Sequence, residues 1–157
     1  MPTATIEARM KNPLLMFPHA FRGIQAIHEA ASPGGLPDTT RYMVHLRASQ
    51  INGCSFCAEM HSREMREAGE SDERIFTVAA WRESPYFTDA ERAALALTET
   101  LTRLSDRADA VPDKLWDEVR DHYDEPATAE LLIEIGLINV WNRVNVAVRQ
   151  VAGSHKG

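Results

Sequence analysis

The stretch Arg47-Ala-Ser-Gln-Ile-Asn-Gly-Cys54-Ser-Phe-Cys57-Ala-Glu-Met-His61-Ser-Arg-Glu64 decides how the chain is read. Asn52-Gly53 is a helix stop, so Cys54 opens a new helix directly behind it. On that helix positions 54, 57, 61 and 64 step by three, four and three, which places all four side chains on one face. Side chains three apart have β-carbons about 5–6 Å apart, against about 3.5–4.5 Å in a disulfide. A small adjustment of the first turn therefore allows Cys54 and Cys57 to join. A bridge over so short a loop removes little chain entropy and suits a cycling pair better than a structural staple.

Outward from this segment the pattern is helical throughout. Leu14, Leu15, Phe17, Phe21, Ile24, Ile27 and Ala31 recur at helical spacing before Ser32-Pro-Gly-Gly-Leu-Pro37 breaks the chain. Asp38 or Thr39 starts the next helix, which carries Tyr42, Met43, Leu46 and Ile51. The cysteine helix runs to about Ala68 and is closed by Gly69. A fourth helix starts at Ser71 or Asp72 and passes Ile75, Phe76, Val78, Ala79 and Trp81. Thr88-Asp-Ala-Glu91 is a capping box ahead of Ala94, Leu95, Leu97, Leu101 and Leu104. Pro112 to Tyr123 is the sixth helix, and Pro126 to about Ala152 the last and most apolar. A helix apolar nearly all round is buried, centrally or between subunits. No stretch alternates with period two, and no repeat of 20–50 residues is present, so the expectation is one all-α domain over residues 1–157 of about six to seven helices. Residues 1–12 read as a loose arm and 153–157 as a frayed tail.

The composition narrows the function. Apolar residues make up 44 % and charged residues 25 %, as in ordinary globular proteins. A net charge of −6, well mixed along the chain, argues against nucleic acid as a partner. No uncharged apolar run approaches the roughly 20 residues of a membrane span, and the first residues lack the order of a secretory signal, so the expected place is the cytoplasm. Two cysteines three apart in a reducing compartment point to redox or metal chemistry.

The residues alone leave the roles of the two thiols open. A thiolate at Cys54 gains most from the helix start, whereas Cys57 lies nearer His61, which can take its proton. Zinc is a competing use of Cys54, Cys57 and His61; His45 on the preceding helix is the residue that could complete four ligands. A third reading is a cofactor-free enzyme acting on a lactone or small acid, with the cysteines incidental. Trp81, Trp116 and Trp141 fall on apolar helix faces and read as core or interface. His19, His28, His122 and His155 have no partner by spacing and read as surface. Asn139, Asn142 and Asn145 interrupt the last helix, where Asn139 and Asn142 share a face suited to buried backbone groups or subunit contacts.

The run Leu46-Arg-x-Ser-Gln-Ile-Asn-Gly-Cys54-x-x-Cys57-x-x-x-His61-Ser resembles the signature of AhpD-like alkylhydroperoxidases in the carboxymuconolactone decarboxylase family. The likeness continues through Ala68-Gly69-Glu70, Trp81-Arg82-Glu83-Ser84, Phe87-Thr-x-x-Glu91-Arg-Ala-Ala-Leu95 and Ile138-Asn-Val-Trp-Asn-Arg143. The resemblance implies an all-α fold, assembly as trimers or hexamers, and reduction of organic hydroperoxides by thiols with neither metal nor other cofactor. An external dithiol, such as a lipoyl carrier, is the implied reductant. Carried across, Cys57 attacks the peroxide, Cys54 resolves, and His61 belongs to the proton relay. Relatives commonly place a glutamate, the relay's base, twelve residues before the first cysteine, where this chain has Tyr42. A phenol is a poor base at neutral pH. Glu64, one helical step beyond His61, is the candidate substitute, and Tyr42 is left as a peroxide contact or as core.

Overall fold

A computed structural model describes residues 5–105 and 107–154, and among them every regular element is helical. In chain order these are α1 (Pro13–Met16), α2 (Pro18–Ala31), α3 (Asp38–Asn52), α4 (Ser55–Glu67), α5 (Asp72–Thr77), α6 (Asp89–Thr102), α7 (Asp113–His122) and α8 (Glu125–Val148). The all-α expectation holds, with eight helices among the described residues rather than six or seven. The extra one arises at Pro18, whose ring removes a backbone donor and splits the first expected helix into α1 and α2. The fourth helix is also shorter than its pattern, tightening into a 3-10 turn at Val78–Ala80. The last helix ends at Val148 rather than near Ala152, because Arg149 adopts the left-handed conformation (φ 53°).

Helix α3 is the shared wall of two cores. On one side Val44 packs with Leu97, Val119, Leu131 and Ile135 from α6, α7 and α8. On the other, Met43 and Leu46 pack with Met65, Ile75, Val78, Trp81 and Leu95. The predicted capping box forms as read: Glu91 N–H donates to Thr88 Oγ1 at 3.2 Å, and Thr88 N–H donates to Glu91 Oε2 at 2.8 Å. Trp81 is core, donating Nε1–H to buried Glu99, which also takes Arg47 and Arg82. Leu36 N–H is held by buried Glu130 at 2.8 Å, and this contact lays the turn before α3 against α8.

Helix α8 is long and apolar enough, by length and composition, to cross a membrane, and half of that stretch is buried inside the fold. Its buried face is not purely apolar: Glu130, Glu134, Asn142 and Asn145 all point inward. Helix α2 buries no residue outright, and its half-buried Phe21 and Ile24 line a cavity against α8 instead. Ahead of α1, Arg9 N–H donates to Val148 O at 2.9 Å, and Arg9 Nη1 reaches Ala147 O, so this part of the expected arm is tied to the end of α8. At the other end Ser154 is bonded by Gln150; residues 155–157, and His155 with them, lie outside the described residues.

Candidate functional site

The elbow between α3 and α4 builds the site. Gly53 sits in the left-handed region (φ 70°, ψ 27°), which a side chain would strain. Its N–H reaches Gln50 O and the next N–H, of Cys54, reaches Ser49 O at 3.0 Å, which closes α3 in a Schellman motif. That turn delivers Cys54 as the N-cap of α4 in an extended conformation, and its Sγ accepts from Cys57 N–H at 3.2 Å. The adjustment expected of the first turn is thus that Cys54 leaves the helix altogether. Cys54 and Cys57 are joined in a disulfide, with Cα atoms 5.3 Å apart. Both are buried.

An amide ladder fixes this elbow on α8. Asn52 Nδ2 donates to Asn139 Oδ1 and Asn142 Oδ1 at 3.0 and 2.9 Å, and Asn142 Nδ2 donates to Ser49 Oγ at 3.0 Å. Asn139 also satisfies a backbone group, Ile135 O, as expected from its face; Asn142 binds side chains instead. One step further along, Asn145 Nδ2 donates to Cys57 Sγ at 3.3 Å. Spacing alone does not make that contact legible.

His61 is buried, and its Nδ1 lies 2.6 Å from Glu64 Oε2. The substitute carboxylate expected at Glu64 is therefore in place. Burial pushes the Glu64 carboxyl up, but the hydrogen bond and charge of His61 outweigh it and leave the group below its ordinary value. A ring that donates Nδ1–H to Glu64 carries a lone pair on Nε2, and Nε2 is buried with no hydrogen-bond partner among the described residues. An unused nitrogen in that setting can exchange a proton with a bound molecule. Tyr42, half-buried under the Arg41 guanidinium at 5.1 Å, lines the same cavity but is not the partner of His61.

Sequence reading misses a second acid. Glu134 on α8 is 1 % exposed and takes His45 Nε2 at 2.9 Å and His28 Nδ1 at 2.5 Å. Burial raises the Glu134 carboxyl, and its hydrogen bonds with the two imidazoles bring it back below its ordinary value. His28 is thus not the surface residue that its spacing suggests, since it closes one side of this pair. Burial lowers His45 to about 4, so the ring is neutral at physiological pH. Its edge packs on the His61 ring at 4.8 Å between centroids. The available signal is an acid in the middle of the most apolar helix, a position that carboxylates occupy only when paired.

These groups open onto a cavity of about 520 Å³. Its walls include Phe21, Ile24, Tyr42, Phe56, Met60 and Trp141, with Phe21 and Trp141 edge to face at 5.7 Å. Trp141 is therefore a cavity wall as well as a helix contact. His28, Arg41, His45, His61, Glu64 and Glu134 form the polar side. Cys57 lines this cavity; Cys54 is not among its lining residues. Among the described residues no three His, Cys, Asp or Glu side chains are arranged to hold a metal ion.

Fold and site together define an all-α protein of the AhpD-like kind with a disulfide-forming Cys-x-x-Cys pair. The chain belongs to the carboxymuconolactone decarboxylase family, whose model matches residues 18–100. Among curated proteins it is 41 % identical over 116 residues to the uncharacterized protein YdfG of Bacillus subtilis (strain 168), covering 74 % of this chain and 78 % of that one. It is 35 % identical over 113 residues to YnjA of Escherichia coli (strain K12), covering 72 % of this chain and 60 % of that one. The crystal structure of ATU0492 from Agrobacterium tumefaciens, a protein of unknown function linked by its description to AhpD antioxidant defence, superposes with a TM-score of 0.84 at 34 % identity over 93 % of this chain and 98 % of that one. The debrominase Bmp8, solved in complex with 2,3,4-tribromopyrrole, shares the fold at a TM-score of 0.77 and 17 % identity over 90 % of this chain and 74 % of that one.

Proposed function

We propose that the protein is a thiol-dependent peroxidase that reduces organic hydroperoxides. The observation that carries this reading is the asymmetry of the cysteine pair: Cys57 faces a largely apolar cavity beside His61, while Cys54 sits behind it as a helix cap. In the reduced protein the Cys57 thiolate attacks the distal peroxide oxygen. The O–O bond breaks, giving a sulfenic acid on Cys57 and an alkoxide. His61 Nε2, protonated when it takes the thiol proton, returns that proton to the alkoxide. The Cys54 thiol then displaces water from the sulfenic acid and the disulfide forms. An external dithiol, such as a lipoyl group, reduces it and is itself oxidised to a disulfide.

Both sulfurs are buried, which favours a small peroxide over the disulfide of a folded partner. Joined to each other, they are not thiolate ligands for zinc. Exposed apolar residues on α1 and α8 (Leu15, Met16, Ile133 and Val140 among them) support assembly as a homo-oligomer. The test is to mix reduced protein with cumene hydroperoxide and count thiols over time. Loss of two thiols per chain, abolished in Cys57→Ser, is the expected outcome. Unchanged thiols in wild-type protein refute the scheme.

A further inference from the structure

Asn12 and Asn145 have no part in the scheme above, yet both are buried beside Cys57, at 7 % and 3 % exposure. A buried amide destabilises a fold unless both of its ends are used. Here both are. Asn145 Nδ2 donates to Cys57 Sγ at 3.3 Å while its Oδ1 accepts from Asn12 Nδ2 at 2.7 Å. Asn12 Oδ1 in turn caps α1 by accepting from Leu14 N–H at 3.0 Å, and Asn12 Nδ2 also reaches Gln150 Oε1 at 3.2 Å.

This chain of bonds has a direction. A backbone N–H can only donate, so Leu14 draws the oxygen of Asn12 toward itself and turns the Asn12 NH2 group toward α8. That group requires an oxygen on Asn145, and the NH2 of Asn145 is then left for the sulfur. Sequence order plays no part in this: a helix cap in the N-terminal segment orients a donor near the end of α8.

We propose that Asn145 is a catalytic residue that stabilises the Cys57 thiolate, with Asn12 as the positioning residue that fixes its orientation. The role in turnover rests on the thiol-redox reading above; the thiolate stabilisation itself does not. An N–H bond to a disulfide sulfur is weak, whereas the same bond to a thiolate is charge-assisted. It therefore favours the ionised form once the pair is reduced. The bond also addresses a conflict between the two sulfurs. Cys54 is supported by the start of α4 and by Cys57 N–H. Without a donor of its own, Cys57 is the less favoured thiolate although it is the sulfur that faces the cavity. Asn145 supplies that donor.

The test uses reduced protein and no peroxide, so its result is independent of whether the protein turns peroxide over. In a Cys54→Ser background, where Ser retains the cap, the Cys57 pKa is read from thiolate ultraviolet absorbance and from the pH dependence of iodoacetamide alkylation. Asn145→Ala is expected to raise that pKa by about one unit, which is about tenfold less thiolate below the transition. Asn12→Ser keeps a neutral cap for Leu14 but cannot reach Asn145, and is expected to raise it by less, in the same direction. In a Cys57→Ser background neither variant moves Cys54. A Cys57 pKa within about 0.2 unit of the parent in folded Asn145→Ala, or equal shifts at both cysteines, overturns the proposal. If Asn145→Ala does not fold, an unshifted Cys57 in Asn12→Ser overturns it instead.

Discussion

His45 makes the acid sensitivity of the fold predictable. The ring is enclosed by His61 and Glu64 on α4 and by Glu134 on α8, and burial lowers its pKa to about 4. In the unfolded chain it returns to about 6.5. Between those values the unfolded state binds a proton that the native state refuses, so stability falls as pH drops through about 6.5 and levels off below about 4. A shift of that size corresponds to about 3 kcal/mol in full, of which about 2 kcal/mol is already lost at about pH 5. Carboxylates contribute little at that point, because an unfolded glutamate titrates near 4.3 and is still largely ionised at about pH 5. Glu64 and Glu134, both held low, lose their stabilising contribution only as pH falls further, through the ordinary carboxylate value and below. The comparison is urea unfolding of wild type and His45→Asn at about pH 7 and pH 5, with the disulfide intact in both. Asn can still donate to Glu134 but does not titrate. Wild type should lose about 2 kcal/mol more than the variant over this interval, a sizeable part of a typical domain's stability. Equal losses would falsify the assignment of the acid-labile contribution to His45.

Two further outcomes follow from named contacts. Glu64→Gln should slow thiol loss of the reduced protein with t-butyl hydroperoxide about tenfold or more, since the charge behind His61 is gone; Tyr42→Glu should leave the rate within about twofold, because Glu64 already holds His61 Nδ1. Rate constants from stopped-flow thiol titration decide both, and a large acceleration by Tyr42→Glu would show that the missing base is limiting. Glu99→Ala should destabilise by about 3 kcal/mol in urea, because Arg47 and the Trp81 N–H lose a buried partner; a cost under about 1 kcal/mol would mean that solvent replaces it.

Sequence legibility follows the range of the interaction. The helices, the Asn52-Gly53 stop, the Thr88–Glu91 box and the shared face of Cys54, Cys57, His61 and Glu64 are set by neighbours within one or two turns, and all of these are legible in the residues. Pro18 is a break that the residues also announce, because a proline one residue past Phe17 cannot continue a helix. The end of α8 is not, since Arg149 has no glycine to announce its left-handed turn. Glu134, His28, Asn12 and Asn145 escape for a different reason. Each finds its partner across the packing of α8 against α2, α3, α4 or the segment before α1, and no periodicity carries that information.

The substitution at position 42 shows what such packing allows. A glutamate there would stand one helical turn from His45 on α3, in the region of the cavity that Tyr42 now borders. In this protein the acid beside His45 comes from α8 instead, and the acid beside His61 comes from α4. A proton relay needs a carboxylate within hydrogen-bond reach of a ring nitrogen; it does not need one at a given place in the chain. Because α3, α4 and α8 converge on one cavity, the charge can be supplied from any of them while the cysteines and His61 stay where they are. Tyr42 is then free to serve as wall, and its ring, stacked under Arg41, lines the cavity on the side from which a hydroperoxide would approach Cys57.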